Sequence, residues 1–117
     1  MPETLLTITL YSADAAPVQL CGPAMVKATG DVTLARTAAC FCRWAGLPPD
    51  VVAFYFNGQP LETTLTLQQS GLISGNALHA RLVVPGVSPS QEAARAPFAM
   101  LDVLESELLG LDGMAMR

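Results

Sequence analysis

The chain contains one helix with an unusually firm end, and this feature limits the folds that it can adopt. From Thr33 to Gly46, small and apolar residues recur at the spacing of a single helical stripe. The stripe consists of Leu34, Thr37, Ala38, Phe41 and Ala45. Thr33 carries the hydroxyl that an N-cap needs, and Gly46 suits the left-handed residue that ends a helix. Pro48-Pro49 prevent continuation, so a new element must begin within a few residues.

Strand patterns lie on both sides of this helix. Residues 5–11 alternate, with leucine and isoleucine on one face and threonine on the other. Residues 18–30 resume as a strand after a turn-rich stretch, which predicts a hairpin. Gly22-Pro23 predicts a bulge or break in this second strand, because proline cannot donate to the ladder.

After the helix, residues 51–56 form an apolar strand that ends at an Asn57-Gly58 turn, and residues 77–84 form a last alternating strand. The order is strand, strand, helix, strand, short elements, strand. This order predicts an α+β fold, a β-grasp in which one helix covers one face of a mixed sheet. Seven side chains should form its core, each stabilising the fold by about 1.5–3 kcal/mol: Leu34, Phe41, Phe54, Leu61, Leu67, Leu72 and Leu78.

The amino-acid composition changes after Val84. Residues 85–96 are rich in proline, serine, alanine and glycine and predict a linker after a domain at 4–84. In residues 97–111, apolar side chains recur every three or four positions between acidic ones, which predicts an amphipathic acidic helix. Such a helix could fold back over the domain, belong to a longer protein, or dock into a partner's groove.

Composition supports one packed domain. Of 117 residues, 51% are hydrophobic and 14% are charged, and the net charge of −4 argues against a nucleic-acid partner. No apolar run reaches the roughly 18 residues that a membrane helix needs, and the N-terminus lacks the basic segment of a signal peptide. We therefore expect a cytoplasmic or nuclear protein, with no membrane partner and with reduced thiols.

Candidate chemical groups are few. Cys40 and Cys42 lie about 200° apart around a helix and cannot chelate one ion together. Adding Cys21 and His79 gives four ligands but no zinc-site spacing, so we expect the cysteines to be small buried hydrophobes. His79 has no nucleophile at motif spacing, and no phosphate-binding loop is present. The sequence predicts no catalytic residue, no metal, no cofactor and no enzyme activity.

From Thr33 to Leu82 the chain resembles ubiquitin without a gap. Thr33-Leu34 is similar to the family's helix-opening Thr-Ile, and residues 46–50, Gly-Leu-Pro-Pro-Asp, are similar to its Gly-Ile-Pro-Pro-Asp. Residues 56–62 resemble Phe-Ala-Gly-Lys-Gln-Leu-Glu, and Leu78-His79 resembles the Leu-His of the last strand. The first hairpin has a longer connection than the one in ubiquitin. The resemblance implies a ubiquitin-like β-grasp.

Departures from the family pattern bear on function. Ubiquitin and the conjugated modifiers end in Gly-Gly, whereas the matching positions here are Gly86-Val87 and no Gly-Gly occurs in the chain. Gln59 and Ser74 stand where ubiquitin has chain-building lysines, and Lys27 is the only lysine. These departures favour a non-conjugated adaptor that binds proteins non-covalently. A structural assembly module is the alternative, and a covalent modifier is a third hypothesis.

The resemblance also implies a partner face. Ubiquitin binds partners through an apolar patch whose residues match Tyr55, Gly58, His79 and Arg81, flanked by Ala53 and Val83. Arg81 replaces an aliphatic residue, which removes apolar area and adds charge. The implied partners are ubiquitin, a proteasomal receptor or a ubiquitin-binding protein. Within the family, residues 5–11 and 60–78, together with the acidic composition, look most similar to the N-terminal domain of the DNA-damage-inducible shuttle proteins.

Overall fold

The computed structural model describes residues 3–95 and 98–104 and contains one six-stranded mixed sheet. The elements are β1 (Glu3–Tyr11), β2 (Gln19–Thr29), α1 (Leu34–Ala45), a single 3-10 turn (Pro49–Val51), β3 (Val52–Phe56), β4 (Gln59–Pro60), β5 (Ala77–Leu82), α2 (Gln91–Arg95) and β6 (Ala99–Asp102). The strand order is β4-β3-β5-β1-β2-β6. The predicted α+β architecture, a mixed sheet covered by one main helix, is confirmed.

The predicted hairpin is formed by β1 and β2, which pair antiparallel. Its register shifts between Ile8 and Leu10, opposite the cis Gly22-Pro23 peptide, so the predicted bulge is present. Gly22 has a φ of +96°, and a Cβ there would lie 2.9 Å from the Ile8 carbonyl oxygen. Only glycine fits such a bulge. β1 also pairs in parallel with β5, which pairs antiparallel with β3.

The helix forms as its end signals predict. The Thr33 Oγ1 accepts a hydrogen bond from the Arg36 backbone N–H at 3.2 Å, which caps the first turn. Gly46 is left-handed, with φ 76° and ψ 30°, and the next residue donates from its backbone N–H to the Cys42 carbonyl at 2.9 Å. All five residues of the predicted stripe are buried.

The core lies between α1 and the sheet. Six of the seven predicted core side chains are buried, and Leu61 is partly buried. Phe41 of α1 meets Phe54 of β3 edge to face, with ring centroids 6.0 Å apart. Trp44 packs beside Phe41 at 5.6 Å and is half-buried, which agrees with a packing role.

The segment after β5 differs from its prediction. Residues 91–95 form α2 inside the predicted linker, and residues 99–102 form β6 where a helix was predicted. β6 pairs in parallel with β2, from Ala24↔Ala99 to Lys27↔Asp102. Residues 98–103 are apolar at five of six positions, a run that can form a strand as well as a helix. The open β2 edge offers unpaired backbone groups, so residues 99–102 pair with it, and helix is present at residues 103 and 104. Residues 96, 97 and 105–111 of the predicted linker and helix lie outside the described residues.

Residues 85–95 and 98–104, called the extension below, are anchored to the rest of the domain. The Ser90 backbone N–H donates to the Ala45 carbonyl at 2.8 Å, and the Ser90 hydroxyl accepts from the Ala93 N–H at 3.2 Å. Ala93 is 1% exposed and Val103 is fully buried. The Lys27 ammonium lies 3.2 Å from the Asp102 carboxylate. The extension is therefore part of the folded domain.

Candidate protein-binding face

The residues predicted to contact a partner lie on β3, β5 and the loops beside them. In β3 and β5, Val52, Phe54, Leu78, Ala80 and Leu82 are buried and the residues between them are not. Ala53 pairs with Arg81 and Tyr55 pairs with His79, so these four side chains share the sheet surface opposite α1. The structure therefore brings the predicted β3 and β5 residues together.

An aromatic stack organises this surface. The rings of Tyr11 and His79 lie parallel, with centroids 4.0 Å apart and an angle of 2° between their planes. Tyr11 is the last residue of β1 and pairs with Arg81, while Thr9 pairs with His79. The stack joins β1 to β5 and gives the surface a flat aromatic wall.

Arg81 is fixed by the loop that joins β1 and β2. Its Nη2 donates to the backbone carbonyl oxygen of Asp14 at 2.8 Å, and its side chain is half-buried. The contact joins residues 67 positions apart in the chain. The β1–β2 loop is longer than the one in ubiquitin, and Arg81 replaces an aliphatic residue of ubiquitin. These two differences from ubiquitin are therefore in direct contact.

These residues line an open depression of about 540 Å³. Its walls are formed by Thr9, Tyr11, Tyr55, Asn57, Gly58, Ala77, Leu78, His79 and Arg81. Four of the six predicted residues are among them. Ala53 lies beside the depression as the β-pairing partner of Arg81, and Val83 lies just after the end of β5 with 53% of its surface exposed.

The Asn57-Gly58 turn forms one rim of the depression. Both residues have positive φ, 52° and 79°, as a tight hairpin turn of this kind requires. The turn reverses the chain so that Tyr55 pairs with Pro60 in β4. No atom lies within 4 Å of a Cβ built on Gly58, so the rim is open at this point.

Sequence reasoning missed five of the nine wall residues: Tyr11, Thr9, Asn57, Ala77 and Leu78. The signal for the first two was present, because the alternation of β1 puts Leu6, Ile8 and Leu10 in the core and the residues between them outside. Neither position belongs to the patch implied by ubiquitin. The stack with His79 depends on the β1–β5 pairing, which is not encoded locally.

The comparisons with known proteins agree with this architecture. No protein-family model and no curated protein matches the chain. Among solved structures, the chain is similar to ubiquitin from Caldiarchaeum subterraneum, with a TM-score of 0.51 and 21% identity over 71% of this chain and 99% of that chain. The fold is a ubiquitin-like β-grasp. At this identity the likeness concerns the fold alone.

Two features of this ubiquitin-like domain concern chemistry outside the depression. All three thiols are buried, as predicted, and burial raises the pKa of Cys21 to about 11 and that of Cys42 to about 12. These two thiols are protonated at neutral pH and are poor nucleophiles. Within residues 3–95 and 98–104, no cluster of three or more histidine, cysteine or acidic side chains could hold a metal ion.

The helices can also be judged against a membrane. Neither α1 nor α2, nor any other helical segment in the described part of the chain, is long and apolar enough to cross a bilayer.

Proposed function

We propose that this ubiquitin-like domain is a non-conjugated adaptor that binds a protein partner non-covalently through the depression beside Tyr55, His79 and Arg81. The observation that carries the proposal is the depression itself, with aromatic walls on the paired strands β1, β5 and β3 and its arginine held by a backbone carbonyl. Tyrosine and arginine are enriched in the residues that dominate protein–protein binding energy. The proposal assigns the domain no catalytic step.

Non-covalent binding suits this chain better than conjugation does. Conjugation uses an accessible Gly-Gly carboxylate, and the chain contains no Gly-Gly. At the matching positions, Gly86-Val87 leads into a segment that is tied to α1 through Ser90 and that enters the sheet as β6. A modifier would be recognised by a ladder of covalent adducts in cell extract, which we do not expect.

The partner that we propose belongs to the ubiquitin–proteasome system: ubiquitin, a proteasomal receptor or a ubiquitin-binding protein. The support is the gapless sequence resemblance from Thr33 to Leu82 together with the shared fold. A place beside the shuttle proteins, and a cytoplasmic or nuclear location, would follow from the same resemblance.

The test is an NMR titration of the isotope-labelled chain with ubiquitin and with proteasomal receptor subunits. We expect shifts clustered on Tyr55, His79 and Arg81 with at least one of them, and loss of these shifts in Tyr55→Ala. Ile73→Ala is the matched control, because Ile73 is 67% exposed and lines a different depression with Glu3 and Thr4. Shifts that fail to cluster on the depression with every one of these proteins would refute the ubiquitin-pathway proposal.

A structural assembly module is the second candidate, and one observation favours it. Phe98, Met100 and Leu104 in the extension are 50%, 59% and 43% exposed. Met100 is the register neighbour of the half-buried Met25, so a short apolar strip crosses β2 and β6 ahead of the Lys27–Asp102 ion pair. Contacts through this strip would be independent of the depression.

The two candidates make opposite predictions in pull-down experiments. Binding of an assembly partner should be retained in Tyr55→Ala and lost in the double variant Phe98→Ser with Met100→Ser. Binding of an adaptor partner should be lost in Tyr55→Ala and retained in the double variant. Removing residues 97–111 is not a clean test, because it also deletes β6 and the buried Val103.

A further inference from the structure

The charge distribution in the depression points to one class of ligand. The chain has a net charge of −4, yet none of the nine residues lining the depression is acidic. Arg81 supplies a permanent positive charge there, next to the imidazole of His79. The depression is thus locally cationic in a protein that is acidic as a whole.

The charge of Arg81 is not neutralised within the described part of the chain. Its hydrogen-bond acceptor is a neutral backbone carbonyl, that of Asp14, and the ion pairs of Lys27 with Glu3 and Asp102 do not involve it. A guanidinium has five N–H donors, and the bond to Asp14 uses one of its two terminal nitrogens. Donors therefore stay available for a carboxylate, which a guanidinium can bind through two parallel hydrogen bonds.

The surroundings of Arg81 add an apolar requirement. The stacked rings of Tyr11 and His79 and the half-buried ring of Tyr55 border the same depression. Aromatic faces of this kind bind apolar side chains while leaving the polar tips of the rings in water. A ligand that binds both the Arg81 guanidinium and the aromatic rings carries an acidic group directly beside an apolar one.

We infer that the depression recognises an acidic peptide segment of its protein partner, in which a glutamate or aspartate binds Arg81 and a neighbouring apolar side chain packs on Tyr55 and the Tyr11–His79 stack. This inference rests on the proposed function and specifies its ligand. It also gives a reason for the departure from ubiquitin, since an arginine in place of an aliphatic residue exchanges apolar area for carboxylate selectivity.

The probes are two synthetic peptides, one in which glutamates alternate with leucines and one in which glutamines replace every glutamate. Binding to the full chain is followed by NMR and by fluorescence anisotropy. We expect the glutamate peptide to shift Tyr55, His79 and Arg81 and to bind about tenfold more tightly than the glutamine peptide. Added salt should weaken the glutamate peptide more, because exposed charge pairs are screened.

Three variants locate the effect. Arg81→Met should abolish the preference for glutamate, and Arg81→Lys, which keeps the charge but not the planar fork, should retain part of it. Arg95→Met is the control, because Arg95 is an exposed arginine of α2 whose loss changes the net charge equally. The amide spectrum of each variant checks that the Asp14 loop and the sheet are still folded.

The outcomes separate this inference from the proposed function. Equal binding of the two peptides, or equal losses in Arg81→Met and Arg95→Met, would overturn the inference. If Tyr55→Ala still removed a pathway partner in that case, the proposed function would stand alone. Shifts in the depression that grow with the concentration of the free chain would indicate a second copy as the occupant, and would also overturn it.

Discussion

Two independent requirements meet at Gly46. The residue ends α1 in the left-handed conformation, which the sequence predicts from its place before Pro48-Pro49. In addition, a Cβ at Gly46 would lie 3.0 Å from the Cβ of Ser90, where the extension crosses the end of the helix. The first requirement is local, and the second exists only because a distant segment packs there.

Gly46→Ala should therefore destabilise the domain more than a glycine change that meets the first requirement alone. The left-handed conformation costs a non-glycine residue about 1–2 kcal/mol, and crowding against Ser90 adds to this cost. Gly71→Ala is the control, because Gly71 has almost the same φ, +77°, with no atom within 4 Å of its built Cβ. Urea denaturation measures both free energies of unfolding. Equal losses would show that Ser90 moves aside without cost.

At the scale of the element, α1 is determined by residues within and next to it, whereas β6 is determined by a distant strand. The cap, the stripe and the stop of α1 are all within or next to the helix, so its prediction is confirmed. β6 owes its strand conformation to β2, about 75 positions earlier in the chain, and its own residues also fit a helical spacing. A four-residue segment of mixed periodicity takes the structure that its neighbour offers.

One overlooked signal pointed to the extension. Cys40 and Cys42 are both buried although they lie on opposite sides of the α1 stripe, about 200° apart. A helix that packs on a sheet through one face does not bury both flanks. α2 and β6 both contact α1, so the extension supplies a second covering surface. Apolar residues on both flanks of a helical stripe therefore predict a further layer.

Val103→Ala tests whether the extension belongs to the cooperative unit. Val103 is fully buried, and truncating it should lower the free energy of unfolding by about 2 kcal/mol through lost burial and a residual cavity. Leu104→Ala, at the adjacent and 43% exposed residue, should change it by less than about 0.5 kcal/mol. The measurement is chemical denaturation followed by Trp44 fluorescence. A detachable tail would give two small and similar values.

At the scale of the whole molecule, the three thiols report on the integrity of the fold. Cys21 belongs to β2, and Cys40 and Cys42 belong to α1, so their burial reports on both the sheet and the helix. Burial raises the pKa of Cys21 to about 11 and that of Cys42 to about 12, from an ordinary value of 9.0. At a pH between the ordinary pKa of 9.0 and the raised pKa of each thiol, the unfolded chain has released thiol protons that the folded chain retains.

Stability should therefore fall as the pH rises above about 9. The unfolded state binds fewer protons in this range, so each thiol lowers the free energy of unfolding by at most about 1.4 kcal/mol per pH unit. The full contribution is present below pH 9 and is lost progressively up to the folded pKa values. Denaturation curves from pH 8 to about 10 measure the slope, below the range in which Lys27, whose pKa is raised chiefly by its hydrogen bond to Asp102, releases its proton.

Cys42→Ala provides the comparison for this pH dependence. The variant should be less stable at pH 8 because of the lost packing, but its stability should fall less steeply with pH than that of the unchanged chain. Identical slopes would contradict a buried, protonated Cys42 as a source of the pH dependence.

The sequence by itself determined the elements whose signals are local: the capped helix, the hairpin with its bulge at Gly22-Pro23, the Asn57-Gly58 turn, and the alternation that separates buried from outward residues. Ala53, Tyr55, His79 and Arg81 could be assigned to one face because alternation and the ubiquitin resemblance agree there. Tertiary structure decided the Tyr11–His79 stack, the hydrogen bond between Arg81 and the Asp14 carbonyl, and the packing of the extension against β2 and α1. These contacts join segments that are far apart in the chain. A local sequence pattern cannot specify which strand edge elsewhere in the chain is unpaired and available to such a segment.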